Sequence, residues 1–343
     1  MIPRPVLALA LLVACGPRPF TPQTVVDSVR VLSSRTETPY ARPGEDVSVD
    51  LLVADGRANR TKPLTVGWLP LLCVNPAADL YFACFAQDGA VVGASGVADA
   101  GAGSGGAGLP AGFDLASLVG TDITDFLVKG ERFSFTMPAD AIVRHSSTEK
   151  DYGLVILFNI ACAGRVRIAP IDPAAGQQQM PLECVDETGQ KLGAEDYTVG
   201  FTRVYAYPDR RNANPTIAGV TYQGQPVDLT AGVTVPVCTT PTRTECDPLK
   251  FDVDSPAESQ EEKTGEVLLD GTVPREQVYA QYYSDNGLFT QDARLLYDSA
   301  TGLVPDRAAD LLAPQSASTG RVWVVVKDDR GGTSWVQFPL RAE

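Results

Sequence analysis

Downstream of residue 25 the chain alternates between apolar and polar positions. In Asp46-Val47-Ser48-Val49-Asp50-Leu51 every second residue is apolar, just after the turn-like Arg42-Pro43-Gly44-Glu45. Tyr197, Val199 and Phe201 share one face of a later stretch, with Thr198, Gly200 and Thr202 on the other. Near the C-terminus Val322, Val324 and Val326 alternate with Arg321, Trp323 and Val325, and Val336, Phe338 and Leu340 form another such set. Period-two alternation marks a strand with one face buried. The last two runs flank Asp328-Asp329-Arg330-Gly331-Gly332, which predicts a β-hairpin closing the protein. Helical periodicity is scarce. The run Arg307-Ala308-Ala309-Asp310-Leu311-Leu312, between Pro305 and Pro314, predicts one short helical turn. The pattern as a whole predicts an all-β protein.

Breaks in the pattern set the expected layout. Residues 89–112 hold nine Gly and seven Ala, too little apolar surface for a packed element, so an insertion of about 87–130 is expected to be a flexible loop. It contains a formal G-x-G-x-x-G at Gly101, Gly103 and Gly106. A dinucleotide site needs a helix after that motif, and Leu109-Pro110-Ala111-Gly112 opposes one. The polar, turn-rich Pro208-Asp209-Arg210-Arg211-Asn212-Ala213-Asn214-Pro215 lies between two apolar strands and marks a boundary. Two domains are therefore expected, at 24–208 and 214–343, in keeping with a length of 343 residues.

Composition narrows the partners. With 28 basic and 42 acidic residues the formal charge is −14, which repels nucleic acid. Apart from Cys15, six cysteines remain: Cys73, Cys84, Cys162, Cys184, Cys238 and Cys246. An even set fits disulfides in an oxidising compartment. Spacing alone leaves the connectivity open, but the six fall into local couples, which favours 73–84, 162–184 and 238–246. Zinc is disfavoured, because there is no C-x₂-C pair and the chain has one histidine.

The N-terminus carries an address. The apolar run Val6 to Ala14 follows Arg4 and is far too short to span a bilayer, but it has the length of a secretory h-region. Leu12-Val13-Ala14-Cys15 resembles the lipobox of bacterial lipoproteins. That resemblance implies a signal peptide at 1–14, a diacylglycerol on Cys15 and a membrane anchor of buried acyl chains. Residues 15–23, with GPRPF, then read as a lipidated tether, and Gly16 after the cysteine favours an outer-membrane address, periplasmic or surface-facing.

Two further stretches resemble the immunoglobulin-like sandwiches of bacterial surface proteins. One is Pro43-Gly44-Glu45-Asp46-Val47-Ser48-Val49, similar to their early turn and strand. The other is Val322-Trp323-Val324-Val325-Val326-Lys327-Asp328-Asp329-Arg330-Gly331-Gly332, similar to their closing hairpin. Val278-Tyr279-Ala280-Gln281-Tyr282-Tyr283-Ser284-Asp285-Asn286-Gly287 looks like a central strand entering a turn. With the lipobox, these features resemble a surface lipoprotein of myxobacteria-like organisms. The resemblance implies two tandem immunoglobulin-like β-sandwich domains and brings no catalytic residues.

The search for chemistry returns little. His145 sits in the polar run Arg144 to Lys150 and is expected to be solvated; no G-x-S-x-G elbow accompanies it. A carboxylate-based hydrolase needs only two acids, and 42 acidic residues single out no pair. Asp252, Asp254, Asp328 and Asp329 lack the spacing of a calcium loop, so turn capping is expected of them. The acidic run Glu258 to Glu266 reads as a solvated loop. Tyr279 and Tyr283 share a strand face opposite Val278, Ala280 and Tyr282, and become candidate ligand-facing aromatics if the valine face is the core.

The expected function is therefore a lipid-anchored, non-enzymatic component of the envelope, structural, adhesive or assembling, with envelope protein partners and no cofactor. A carbohydrate-binding surface module for a polysaccharide is the alternative. A carboxylate hydrolase ranks third.

Overall fold

The computed structural model describes residues 21–85, 91–93, 118–145, 151–170, 180–263, 266–269 and 271–343. Cys15, the lipobox, the tether up to residue 20, the glycine motif at 101–106 and most of the Gly/Ala-rich run lie outside the described residues. The described chain is almost entirely β, arranged as two β-sandwiches.

Among the described residues sixteen strands are four residues or longer. In the first sandwich they are β1 (Val29–Thr36), β2 (Asp46–Asp55), β3 (Thr65–Trp68), β4 (Leu71–Val74), β5 (Arg132–Thr136), β6 (Gly153–Cys162), β7 (Arg165–Ile168), β8 (Leu182–Val185) and β9 (Tyr197–Ala206). In the second they are β10 (Gly219–Tyr222), β11 (Leu249–Asp254), β12 (Val278–Ser284), β13 (Ala293–Asp298), β14 (Ala309–Leu312), β15 (Ser318–Asp328) and β16 (Thr333–Ala342).

The first sandwich packs a sheet β1-β2-β5 on a larger one in which β6 pairs with β9, β3 and β4. Val47, Val49 and Leu51 of β2 and Phe133 and Phe135 of β5 meet Trp68, Val155, Leu157 and Val204 between the sheets. The other side of the larger sheet is also covered. There Leu154, Ile156, Phe158 and Ile160 pack against the Cys73–Cys84 disulfide and the β7-β8 hairpin, with Val166, Ile168 and Leu182. Every residue of β6 is consequently buried, which explains why Gly153 to Cys162 shows no alternation.

The second sandwich stacks a sheet containing β10-β11-β14 on one ordered β16-β15-β12-β13. Its core joins Phe251, Tyr282, Phe289, Val324 and Phe338. β15 and β16 form the closing antiparallel hairpin over ten paired positions. The run 307–312 differs from the helical turn expected of it. Ala309–Leu312 is strand β14, because pairing with β11 and Leu288–Phe289 places Ala309 and Leu311 in the core. Tertiary pairing overrides a helix-favouring composition there.

The end of the expected flexible insertion is also ordered. Ile123 and Leu127 are buried, and Val128–Lys129 pairs with β3. Three disulfides, Cys73–Cys84, Cys162–Cys184 and Cys238–Cys246, close local loops.

Val26, Leu32, Leu52 and Ala54 of the first sandwich meet Tyr283, Trp323 and Val325 of the second in a separate apolar cluster. The Arg35 guanidinium lies 4.4 Å over the Trp335 ring across this seam. Residues 24–26 cross over as well: Val25 bridges Ser284 in parallel, and the Thr24 hydroxyl donates to the Phe289 carbonyl at 2.7 Å. The boundary segment is pinned between the two. Asn214 donates to the Thr36 carbonyl of the first at 2.8 Å, while in the second Asn212 donates to Asp328 at 3.1 Å and Arg330 donates to the Arg211 carbonyl at 3.1 Å.

Candidate functional site

The seam places Tyr279 and Tyr283 differently from a solvent-facing aromatic pair. Val278, Ala280 and Tyr282 do form the core face of β12. The opposite face is covered by the first sandwich, so Tyr283 is only 9% exposed, inside the apolar seam. Tyr283 is thus a packing residue. Tyr279, half-buried, lines a cleft at the upper end of the same face.

That cleft encloses about 410 Å³, within the range of small-molecule sites. It opens where the two sheets of the first sandwich part beside the second. Val31, Ser33 and Ser34 of β1 form one wall; Asn159 of β6 with Thr198, Gly200 and Thr202 of β9 form another. The second sandwich closes it with Tyr279, Lys327 and the turn Gly331-Gly332-Thr333. Strand register assembles these groups. Tyr279 stands opposite Lys327 and Lys327 opposite Thr333 across one sheet, as Asn159 stands opposite Gly200 across the other. Gly200 has to be small, because a Cβ there would sit 2.9 Å from Asn159 Oδ1.

The cleft is under-bonded. Ser33 Oγ, Asn159 Oδ1 and Thr202 Oγ1 are buried and accept or donate no hydrogen bond among the described residues. Buried polar groups without partners are uncommon and mark a place for water or a ligand. Lys327 forms no ion pair among the described residues, and burial depresses its ammonium pKa. Burial likewise raises the Tyr279 phenol. Asp328 also lines the cleft, but its carboxylate is engaged by the amides of Arg330 at 2.7 Å and Gly332 at 2.8 Å. It caps the turn, as expected for an aspartate before Gly-Gly.

His145 departs from the expectation of a solvated side chain. It is 8% exposed, its Nδ1 lies 2.8 Å from the Tyr152 carbonyl and its Nε2 lies 3.0 Å from Asp79 Oδ1. The Tyr152 hydroxyl donates to the other Asp79 oxygen at 2.6 Å. With both ring nitrogens engaged by these oxygens, His145 fastens the 141–145 turn to the Asp79 turn. The acidic stretch 258–266 is likewise less solvated than its composition suggests. Gln260 is buried and donates to the Glu276 and Asp298 carbonyls, and Glu261 pairs with Arg330 at 2.9 Å. Among the described residues no group of three or more His, Cys, Asp or Glu is placed to hold a metal ion.

Sequence reasoning reached Tyr279 through strand alternation but not its neighbours. Asn159 was hidden in an apolar run, and Thr198, Gly200 and Thr202 looked like the solvent face of β9. They point inward because Tyr197, Val199 and Phe201 pack instead beneath the outer layer, where the Phe201 ring stacks 4.5 Å from Tyr81. A single asparagine within a ten-residue buried strand is the signal that identifies this wall.

Neither a protein-family model nor a curated protein matches the sequence. Solved structures share only a distant likeness. Latent PorU from Porphyromonas gingivalis is 10% identical, with a TM-score of 0.21 over 93% of this chain and 24% of its own. This chain thus spans about a quarter of that protein's length. Fibronectin(III)-like modules of CbhA from Clostridium thermocellum are 9% identical, with a TM-score of 0.19, covering 90% of this chain and 93% of theirs. A Salmonella alpha-2-macroglobulin mutant is 12% identical, with a TM-score of 0.20, over 94% of this chain and 17% of its own. None of them transfers a residue role or an activity to this chain.

Proposed function

We propose that this chain is a non-enzymatic lipoprotein of the bacterial envelope, held in the outer membrane through Cys15 and acting as a structural, adhesive or assembling component. The observation that carries the reading is the seam. An apolar cluster and a boundary segment bonded on both sides make the two sandwiches a stiff unit, as a spacer or assembly part requires. Three disulfides support an oxidising, extracytoplasmic location. No helix among the described residues is long and apolar enough to cross a membrane.

Crosslinking on intact cells tests the role. Discrete adducts with envelope proteins are expected, and recovery of the uncrosslinked chain alone overturns it. Palmitate labelling tests the anchor: the label should disappear in Cys15→Ala, and its persistence there would refute attachment at this cysteine. A second reading, binding of a carbohydrate, is favoured by one observation, the polar, under-bonded cleft faced by Tyr279.

A further inference from the structure

The composition of the cleft restricts what fits. Ser33 and Thr202 present hydroxyls, which donate and accept, and Asn159 Oδ1 accepts only. An apolar ligand would leave these three buried oxygens unpaired. A ligand bearing several hydroxyls can pair with all three. Tyr279 and Val31 supply apolar surface on the same walls. Hydroxyl partners beside an aromatic ring suit a pyranose, which has polar edges and apolar C–H faces.

Lys327 adds a charge requirement. Its ammonium is half-buried and has no carboxylate partner among the described residues, so it repels cations and rewards an anion. The chain as a whole carries −14. A densely charged polymer therefore meets general repulsion. Asp328 lines the same cleft, but its carboxylate is held by the Arg330 and Gly332 amides, so a single anionic group on an otherwise neutral ligand is placed against Lys327.

We propose that the cleft binds an acidic saccharide: a hydroxyl-rich ring carrying a single carboxylate or sulfate, with the anion on Lys327 and ring hydroxyls on Ser33, Asn159 and Thr202. The proposal rests on the carbohydrate-binding reading and names its ligand class. Because Tyr279 and Lys327 come from the second sandwich and the hydroxyls from the first, the ligand touches both. Binding therefore also reports on the seam.

Titration calorimetry on the purified chain tests it with three oligosaccharides of equal length: one carrying a single glucuronate, its carboxyl-reduced neutral counterpart and a monosulfated analogue. At least one anionic probe should bind about tenfold more tightly than the neutral one, the size expected of a charge-assisted contact. Lys327→Met should abolish that margin and Lys327→Arg should keep it, so a folding defect in one variant leaves the other to decide. Thr202→Val should weaken anionic and neutral probes alike, about fivefold. The better of the two anionic probes identifies the anion. Equal binding of all three probes, indifferent to Lys327→Met, overturns the acidic ligand while leaving carbohydrate binding standing. Binding of none overturns both.

Discussion

The Asn214 side chain accepts the Thr333 amide proton at 2.8 Å and donates to the Thr36 carbonyl at 2.8 Å. A second donation reaches the Glu37 carbonyl at 3.1 Å. One residue of the boundary segment thus bonds the closing hairpin of the second sandwich and the end of β1 in the first. Asn214→Ala strands an amide and two carbonyls at once. A loss of about 1 kcal/mol is expected in urea unfolding, the size of part-buried hydrogen bonds given up to water. Asn214→Asp should recover part of it, since its carboxylate still accepts from Thr333.

Trp323 occupies the seam with 3% of its surface exposed. Its replacement by alanine removes the largest apolar contact between the sandwiches, and a loss of about 3–5 kcal/mol is expected. Calorimetry should then resolve two thermal transitions where the parent shows one. A single transition shifted downward would mean that the sandwiches stay coupled without the ring.

The three disulfides should rank by the loop each closes. Their sequence separations are 22 for Cys162–Cys184, 11 for Cys73–Cys84 and 8 for Cys238–Cys246. Paired Cys→Ala variants should lower the urea midpoint in that order, with the longest loop losing about 3 kcal/mol. The Cys162–Cys184 pair also sits in the outer layer, with both sulfurs buried against Phe158 and Ile168, so cavity formation adds to its loss.

Glu276 is fully buried, and burial raises its carboxyl pKa to about 6, with the nearby Asp328 carboxylate adding to the rise and Arg330 opposing it. Its value in an unfolded chain is near 4.5. The folded state therefore holds more protons than the unfolded one across this interval. Stability from this group is complete below pH 4.5 and falls as pH rises through about 6. Glu276→Gln should flatten that stretch of the stability profile, measured as urea midpoint against pH. A slope unchanged in the variant would assign it to another group.

Gly332 tests how tightly the closing turn meets the boundary segment. A Cβ there would lie 2.7 Å from the Ala213 carbonyl oxygen and 2.0 Å from Asp328 Oδ2. Gly332→Ala should cost about 1–3 kcal/mol by this overpacking, read from thermal unfolding. Gly331→Ala meets nothing within 4 Å but has a φ of +98°, so its smaller loss would come from backbone strain alone.

What was legible in the sequence follows from which faces stay exposed. β2 and the β15-β16 hairpin were readable because turns bound them and alternation runs through them. β6 was not, since two layers cover it and every position is buried. The seam was half visible: Trp323 and Val325 were plain as the off-face of β15, but nothing local says that another sandwich covers that face. The same limit placed Tyr283 in solvent. Asn159 and the Thr198-Gly200-Thr202 wall belong to the cleft through cross-strand pairing between residues forty positions apart, which no local window contains.

The crossing of residues 24–26 has a mechanical consequence. Tension drawn through residue 21 reaches the Val26–Ser284 hydrogen bond, and the Thr24 hydroxyl bond to Phe289, before it reaches β1. The pull is thus shared at once by both halves of the molecule, entering at their junction and not at one end. Because Val25 lies parallel to the Ser284 strand, force along the chain loads these bonds in shear, where they must fail together, and not as a zipper opened one tooth at a time.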